Sequence, residues 1–196
     1  MVYRIFKNLF KVFLTLLGGM EVNGQEHIPE TGPVIVAANH VSNWDPLVLG
    51  SALDRQVHFI AKDSLFRAPL IGTLMRAWGM IRVKRGRGDR EAIAKSLEIL
   101  EAQQIIGIFI EGSRNRENSE QMQAPQSGTA MLAIRSGAPV VPVALLNTKH
   151  LFQKMKVIIG PPLTFEDLAV TTKKELYQQI GARIISAIMN LKSNKA

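Results

Sequence analysis

The stretch that decides the fold is Pro33-Val34-Ile35-Val36-Ala37-Ala38-Asn39-His40-Val41-Ser42-Asn43-Trp44-Asp45-Pro46-Leu47-Val48-Leu49. It opens with a short apolar run rich in β-branched residues, bounded by proline and asparagine, which reads as a strand. Polar residues then turn the chain, and Asp45-Pro46 reads as an N-cap followed by proline in the first turn of a helix. Strand, short turn and helix in direct succession are the repeating unit of an α/β layer fold.

Working outward, the same alternation continues on both sides without repeats or low-complexity segments. Further strands are expected at 57–61, 79–83, 105–110, 139–146 and 155–160. Helices are expected at 46–53, 65–77, 90–103, 127–136 and 173–191, the fourth closed by Gly137 as a C-cap. The polar segment 115–126, with Pro125 near its end, reads as a mobile loop. The expected architecture is one α/β domain over 20–196, with a mostly parallel or mixed central sheet flanked by helices.

Residues 1–19 read differently. The polar residues Arg4, Lys7, Asn8, Lys11 and Thr15 recur at spacings of three and four, so they share one stripe of a helix that is otherwise apolar. The stretch is shorter than the about 20 apolar residues of a membrane span and carries three cations. Lys11 also interrupts the apolar run that a signal peptide needs. The composition suits an amphipathic helix in the bilayer interface, with Arg4, Lys7 and Lys11 near lipid phosphates. The other reading is a core-packed helix with one solvated stripe. Gly18-Gly19 ends it either way.

Composition narrows the function classes. Of 196 residues 46% are hydrophobic and 20% charged, which excludes a disordered chain. The absence of cysteine excludes a disulfide scaffold, thiolate zinc sites and a cysteine nucleophile. A net charge of +8 calls for an anionic partner: nucleic acid, an anionic membrane or a phosphorylated small molecule. Aromatic residues make up only 6% and no recognised nucleic-acid module is present, so no nucleic-acid partner is expected. Neither an H-E-x-x-H pair nor a carboxylate-rich loop occurs, so no metal and no cofactor are expected.

The unusual polar residues follow strand ends: His40 the first, Lys62 the second, Arg85 the third, and Glu111 with Arg114 the fourth. Parallel strands would bring these loops to one edge of the sheet, where open α/β folds place ligands. His40 and Asp45 flank a turn that can fold the carboxylate back onto the ring. Asp45 would then fix the imidazole tautomer of a general base, its alternative role being a plain N-cap. No G-x-S-x-G elbow occurs, so the nucleophile of such a site is a substrate hydroxyl. The cations Arg82, Lys84, Arg85, Arg87 and Arg90 read either as a phosphate or head-group site or as a solvated run. In Phe109-Ile110-Glu111-Gly112-Ser113-Arg114, the guanidinium can hold a phosphate bidentately and Gly112 lets the backbone approach a ligand. Glu111 can accept from a substrate hydroxyl or orient Arg114. His27, His58 and His150 show no such setting.

In this order the groups resemble the motifs of the glycerolipid acyltransferase family. Asn39-His40 through Asp45 matches N-H-x-x-x-x-D, and Ala61-Lys62-Asp63-Ser64-Leu65 matches A-K-x-x-L. Pro69 to Gly72 matches P-x-x-G, and Gly79 to Arg85 matches G-x-I-x-V-x-R. Phe109 to Asn115 matches F-P-E-G-T-R-S, with Ile110 for proline and Ser113 for threonine, and Val141-Pro142-Val143 matches the V-P-V strand. Gln126-Ser127-Gly128 stands where the family often has K-x-G, and Arg82 where it often has proline. The resemblance covers 24–160.

It implies transfer of a fatty acyl group from acyl-CoA or acyl carrier protein to the sn-2 hydroxyl of lysophosphatidic acid, giving phosphatidic acid. His40 would take the hydroxyl proton and Asp45 would hold His40. Lys62, Arg85 and Arg114 would bind the acceptor phosphate and Glu111 its glycerol end, with Gly112 and Ser113 in the same binding turn. Turn amides from His40 to Asp45 would serve the oxyanion; Leu47, Leu65, Phe66 and Leu70 read either as acyl-channel lining or, the favoured reading for each, as ordinary core. The implied location is the cytoplasmic face of the cell membrane, against anionic lipids. Another lysophospholipid acceptor, or a non-catalytic basic membrane-binding module, are the alternative readings.

Overall fold

Every residue of β2 (Val34–Ala38) is buried, and its side chains divide between two cores: Val34, Val36 and Ala38 enter one, Ile35 and Ala37 the other. A strand covered on both faces belongs at the centre of a sheet. The computed structural model describes residues 2–83, 89–115, 121–150, 152–168 and 172–194. In chain order the remaining elements are α1 (Val2–Leu17), β1 (Met20–Asn23), α2 (Asp45–Ala52), β3 (Val57–Lys62), α3 (Asp63–Phe66), α4 (Pro69–Ala77) and β4 (Ile81–Val83). They continue with α5 (Asp89–Glu101), β5 (Ile105–Phe109), α6 (Ser127–Ser136), β6 (Val140–Leu146), β7 (Met155–Ile159) and α7 (Lys173–Ser193).

The sheet has seven strands in the order β1-β7-β6-β2-β5-β3-β4. From β6 to β4 all neighbours are parallel, β7 turns back antiparallel to β6, and β1 runs parallel to β7. The expected mixed α/β domain is what the chain forms. One face is covered through Tyr3 and Leu14 of α1, Val48 and Leu49 of α2, and Trp78 after α4. The other is covered through Leu100 of α5, Leu132 of α6, and Ile180, Ile184 and Ile188 of α7. The four-residue spacing of those isoleucines makes one inward stripe, each fully buried and contributing about 1.5–3 kcal/mol. A capping box between Thr172 and Glu175 starts α7.

Three local expectations change. The helix expected over 65–77 is two helices, because Ala68 precedes Pro69 and adopts extended geometry (φ −74°, ψ 125°). Asp45 is not an N-cap: Trp44 holds that position, and Asp45 lies inside α2 with its side chain turned back on the preceding loop. Strand β1 was not anticipated, since its four half-buried residues carry no pattern and pair with distant Met155–Ile158 partners.

Helix α1 has three arcs rather than two. Tyr3, Phe10 and Leu14 pack inward, with the Tyr3 hydroxyl donating to Gly50 O (3.1 Å) and Phe10 stacking on Trp44. Ile5, Phe6, Leu9, Val12, Phe13 and Leu16 are exposed, while Arg4, Asn8, Lys11 and Thr15 form the exposed polar stripe. Lys7 departs from the lipid-facing stripe expected of it. It is buried, and its Nζ donates to Leu53 O (2.5 Å), capping the carboxyl end of α2 beside Asp54 (3.6 Å). A cation is favoured there by the carbonyls and the dipole of α2. Burial pushes the Lys7 ammonium below the usual lysine range.

Candidate active site

Because β2, β5 and β3 are parallel, their carboxyl ends lie at one sheet edge, where the loops carrying His40 and 111–114 leave and where Lys62 ends β3. The His40 loop is flanked on one side by the residues after β5 and on the other by those after β6. Asn39 anchors it: its side-chain amide donates to Leu145 O (3.0 Å) and accepts from Leu145 N (2.7 Å), binding the end of β2 to β6.

From that anchor the loop closes on Asp45. The carboxylate is fully buried, and its Oδ2 accepts from Val41 N (2.7 Å), Ser42 N (2.8 Å) and His40 Nδ1 (2.8 Å). A carboxylate only accepts, so Nδ1 carries the proton and Nε2 is the imidazole nitrogen left with a lone pair. Nε2 has no protein partner among the described residues. The ring is largely covered, with 17% of the side chain exposed, and it stacks on Phe109 at 4.0 Å between centroids. Phe59 lies parallel beyond Phe109 at 5.8 Å. Gly107 makes room for that ring, since a Cβ there would come within 2.4 Å of Phe59.

Glu111 is buried, its Oε1 accepts from His40 N (3.0 Å), and its Oε2 accepts from Gln123 N (2.9 Å). Each oxygen accepts from a main-chain amide, so the side chain ties the β5 turn to the His40 backbone. Asn115 N adds a bond to His40 O (2.7 Å). Of the segment expected to be a mobile loop, 116–120 lie outside the described residues; Asn115 is held by His40 O and Gln126 N by Ile110 O.

Gly112 turns at φ 69°, in the left-handed region glycine tolerates, and is exposed. Ser113 is exposed, its hydroxyl 3.3 Å from Gln123 Oε1. Arg114 is half-buried and has no ion pair among the described residues, which leaves its guanidinium for an external anion. Lys62 ends β3 at the same sheet edge by its backbone; Arg85 and its neighbours Lys84 and Arg87 lie outside the described residues. Arg82 is engaged structurally: it and Arg67 pair with Asp63, and the hydrogen bond from Arg82, then that from Arg67, holds the Asp63 carboxyl below the usual range.

The turn amides expected to serve an oxyanion are mostly committed. His40 N serves Glu111, Val41 N and Ser42 N serve Asp45, and Trp44 N serves Ser42 Oγ. Asp45 N approaches Ser42 O, so Asn43 N is the one amide of this turn without an acceptor among the described residues. Of the side chains expected at an acyl channel, Leu47 and Phe66 pack partly against the core, while Leu65 and Leu70 are exposed. His27 and His58 bond to main-chain carbonyls of Ile159 and Gly79, as their lack of motif context implied. Sequence reading missed Thr148. Its hydroxyl, on the loop after β6, reaches Asp45 across 103 residues, and no motif marks it.

The described residues contain no cluster of side chains able to hold a metal. Comparison with known proteins follows from this geometry. The Acyltransferase family model matches residues 19–146. The 1-acyl-sn-glycerol-3-phosphate acyltransferase of Bacillus subtilis (strain 168) is 33% identical over 180 residues, 88% of this chain and 88% of that protein. The enzyme of that name from Borreliella burgdorferi is 34% identical over 148 residues, covering 74% of this chain and 58% of that protein. The crystal structure of the 1-acyl-sn-glycerophosphate acyltransferase of Thermotoga maritima superposes with a TM-score of 0.76 at 25% identity, over 97% of this chain and 80% of that one.

Proposed function

The chain belongs to the Acyltransferase family, and from that premise we propose that it moves a fatty acyl group from an acyl thioester to the sn-2 hydroxyl of 1-acyl-sn-glycerol 3-phosphate, forming phosphatidic acid for phospholipid synthesis. The observation that carries the reading is the His40 Nδ1 to Asp45 Oδ2 bond of 2.8 Å, which leaves Nε2 basic at the sheet edge. Nε2 takes the proton of the acceptor hydroxyl while that oxygen attacks the thioester carbonyl. The tetrahedral oxyanion then collapses, the carbon–sulfur bond breaks, and the leaving thiolate receives the proton from Nε2. Asn43 N is the turn amide left to stabilise the oxyanion. Arg114 holds the acceptor phosphate by two parallel hydrogen bonds, with Lys62 and Arg85 completing the cationic set.

The exposed apolar arc of α1 supports a peripheral position on a membrane, with Arg4 and Lys11 beside lipid phosphates, and the face proposed is the cytoplasmic one. No described helix is long and apolar enough to cross a membrane. The donor is the thioester of coenzyme A or of an acyl carrier protein.

The test is thiol release by purified protein in mixed micelles containing 1-acyl-sn-glycerol 3-phosphate and acyl-CoA or acyl carrier protein. His40→Ala is expected to lose about 100- to 10,000-fold in kcat. Wild-type turnover in that variant removes His40 as the base, and turnover only with other lysophospholipids replaces the acceptor.

A further inference from the structure

Asp45 has two oxygens in unequal settings. Oδ2 takes three donors, whereas Oδ1 takes one, the Thr148 hydroxyl at 2.5 Å. Asp45 and Thr148 are both fully buried. The carboxylate cannot donate, so the hydroxyl hydrogen points at Oδ1. Thr148 is buried between exposed Asn147 and Lys149, and its placement is built by the turn after β6. Asn147 adopts φ 61°, in the left-handed region, and its side-chain amide donates to Lys154 O (3.1 Å) across the loop. The two Asn39–Leu145 bonds register the end of β6 against the start of the His40 loop. Thr148 therefore stands at a fixed position relative to Asp45.

We infer that Thr148 is a positioning residue for acyl transfer: its hydroxyl fixes the plane of the Asp45 carboxylate, and through it the tautomer and orientation of the His40 ring. The inference rests on the reading of His40 and Asp45 as the general-base pair. Turning the carboxylate about its Cβ–Cγ bond displaces both oxygens, and the Thr148 hydroxyl adds to the three donors on Oδ2 a fourth, on Oδ1, that opposes the turn. Thr148 touches neither the acceptor nor the donor in this arrangement. Its loss should act on the chemical step and leave substrate binding unchanged.

The experiment compares Thr148→Val, which keeps the shape and removes the hydroxyl, with Thr148→Ser, which keeps the hydroxyl. Thr148→Val should lower kcat by about 10- to 100-fold, the range of a hydrogen bond to a charged group, with both KM values within about twofold of wild type. Thr148→Ser should retain about half of the wild-type kcat or more. In an Asp45→Ala background, Thr148→Val should change kcat by less than about twofold, because nothing remains to be held. Long-range 1H–15N spectra of histidine-labelled protein should show His40 as one Nδ1–H tautomer in the wild type and as a mixture in Thr148→Val. Wild-type kcat in Thr148→Val, equal impairment of the two variants, or the same loss in the Asp45→Ala background overturns the inference. If the wild type transfers no acyl group, the proposed activity fails by itself, and the ring-nitrogen spectra still decide whether Thr148 orders the pair.

Discussion

Arg114 is half-buried and lacks an ion pair among the described residues, so its guanidinium is available to an external anion. Arg114→Ala is therefore expected to raise the KM for the phosphorylated acceptor by about tenfold or more while the donor KM stays near wild type. Equal effects on both substrates would assign the guanidinium elsewhere. Gly107 offers a sharper test, because it touches no substrate. Gly107→Ala drives a methyl into Phe59, displacing the ring that backs Phe109 and, through it, His40. Overpacking of this kind costs about 1–3 kcal/mol. The expected outcome is a lower Tm together with a reduced kcat, and Phe59→Leu in the same chain should restore part of both. His40, Asp45 and Arg114 were legible as residues because their types and spacing name a chemistry. Glu111 was legible as important but not in its role, since a carboxylate after a strand looks the same whether it meets a ligand or two main-chain amides.

Helix α1 carries opposing demands on one surface. The periodicity put Arg4, Asn8, Lys11 and Thr15 on an exposed stripe, yet it misplaced Lys7 and could not say which apolar arc faces protein and which faces outward. Tyr3, Phe10 and Leu14 are held by Trp78, Trp44 and α2, whereas Phe6, Leu9 and Phe13 are exposed. Replacing Phe6, Leu9 and Phe13 by serine should reduce pelleting with anionic vesicles and leave Tm within a few degrees. Lys7→Met should do the reverse. It removes the cap on α2 and lowers Tm, while vesicle pelleting persists because the exposed arc is untouched. Loss of pelleting in Lys7→Met alone would return that lysine to the lipid. The cap also lies at the opposite end of α2 from Asp45, so α1 docks on the helix that carries the candidate catalytic carboxylate.

At the scale of the whole molecule, ion pairs at two carboxylates, Asp63 and Asp167, brace the fold. Arg82 and Arg67 depress the Asp63 carboxyl, and Arg183, bidentate to Asp167, depresses that one. A carboxyl lowered in the folded state contributes fully above its unfolded value of about 3.9 and loses that contribution as pH falls through the folded value. Asp63→Asn and Asp167→Asn should therefore lower Tm near neutral pH, with the difference from wild type shrinking as pH falls below about 3.9. A difference that persists undiminished at the acid end would point to packing instead of charge. The sequence by itself determined most of the elements and the candidate general-base pair, because hydrophobic period, turn chemistry and motif spacing are local properties. It did not determine β1, whose few residues become a strand only by pairing with β7. Nor did it determine Thr148 on Asp45, Glu111 on the His40 backbone, or Lys7 on α2. Those contacts join residues 46 to 103 positions apart in the chain. The first two exist because parallel crossovers bring β5 and β6 to either side of β2, the third because α1 docks on α2, and only tertiary structure decides such neighbours.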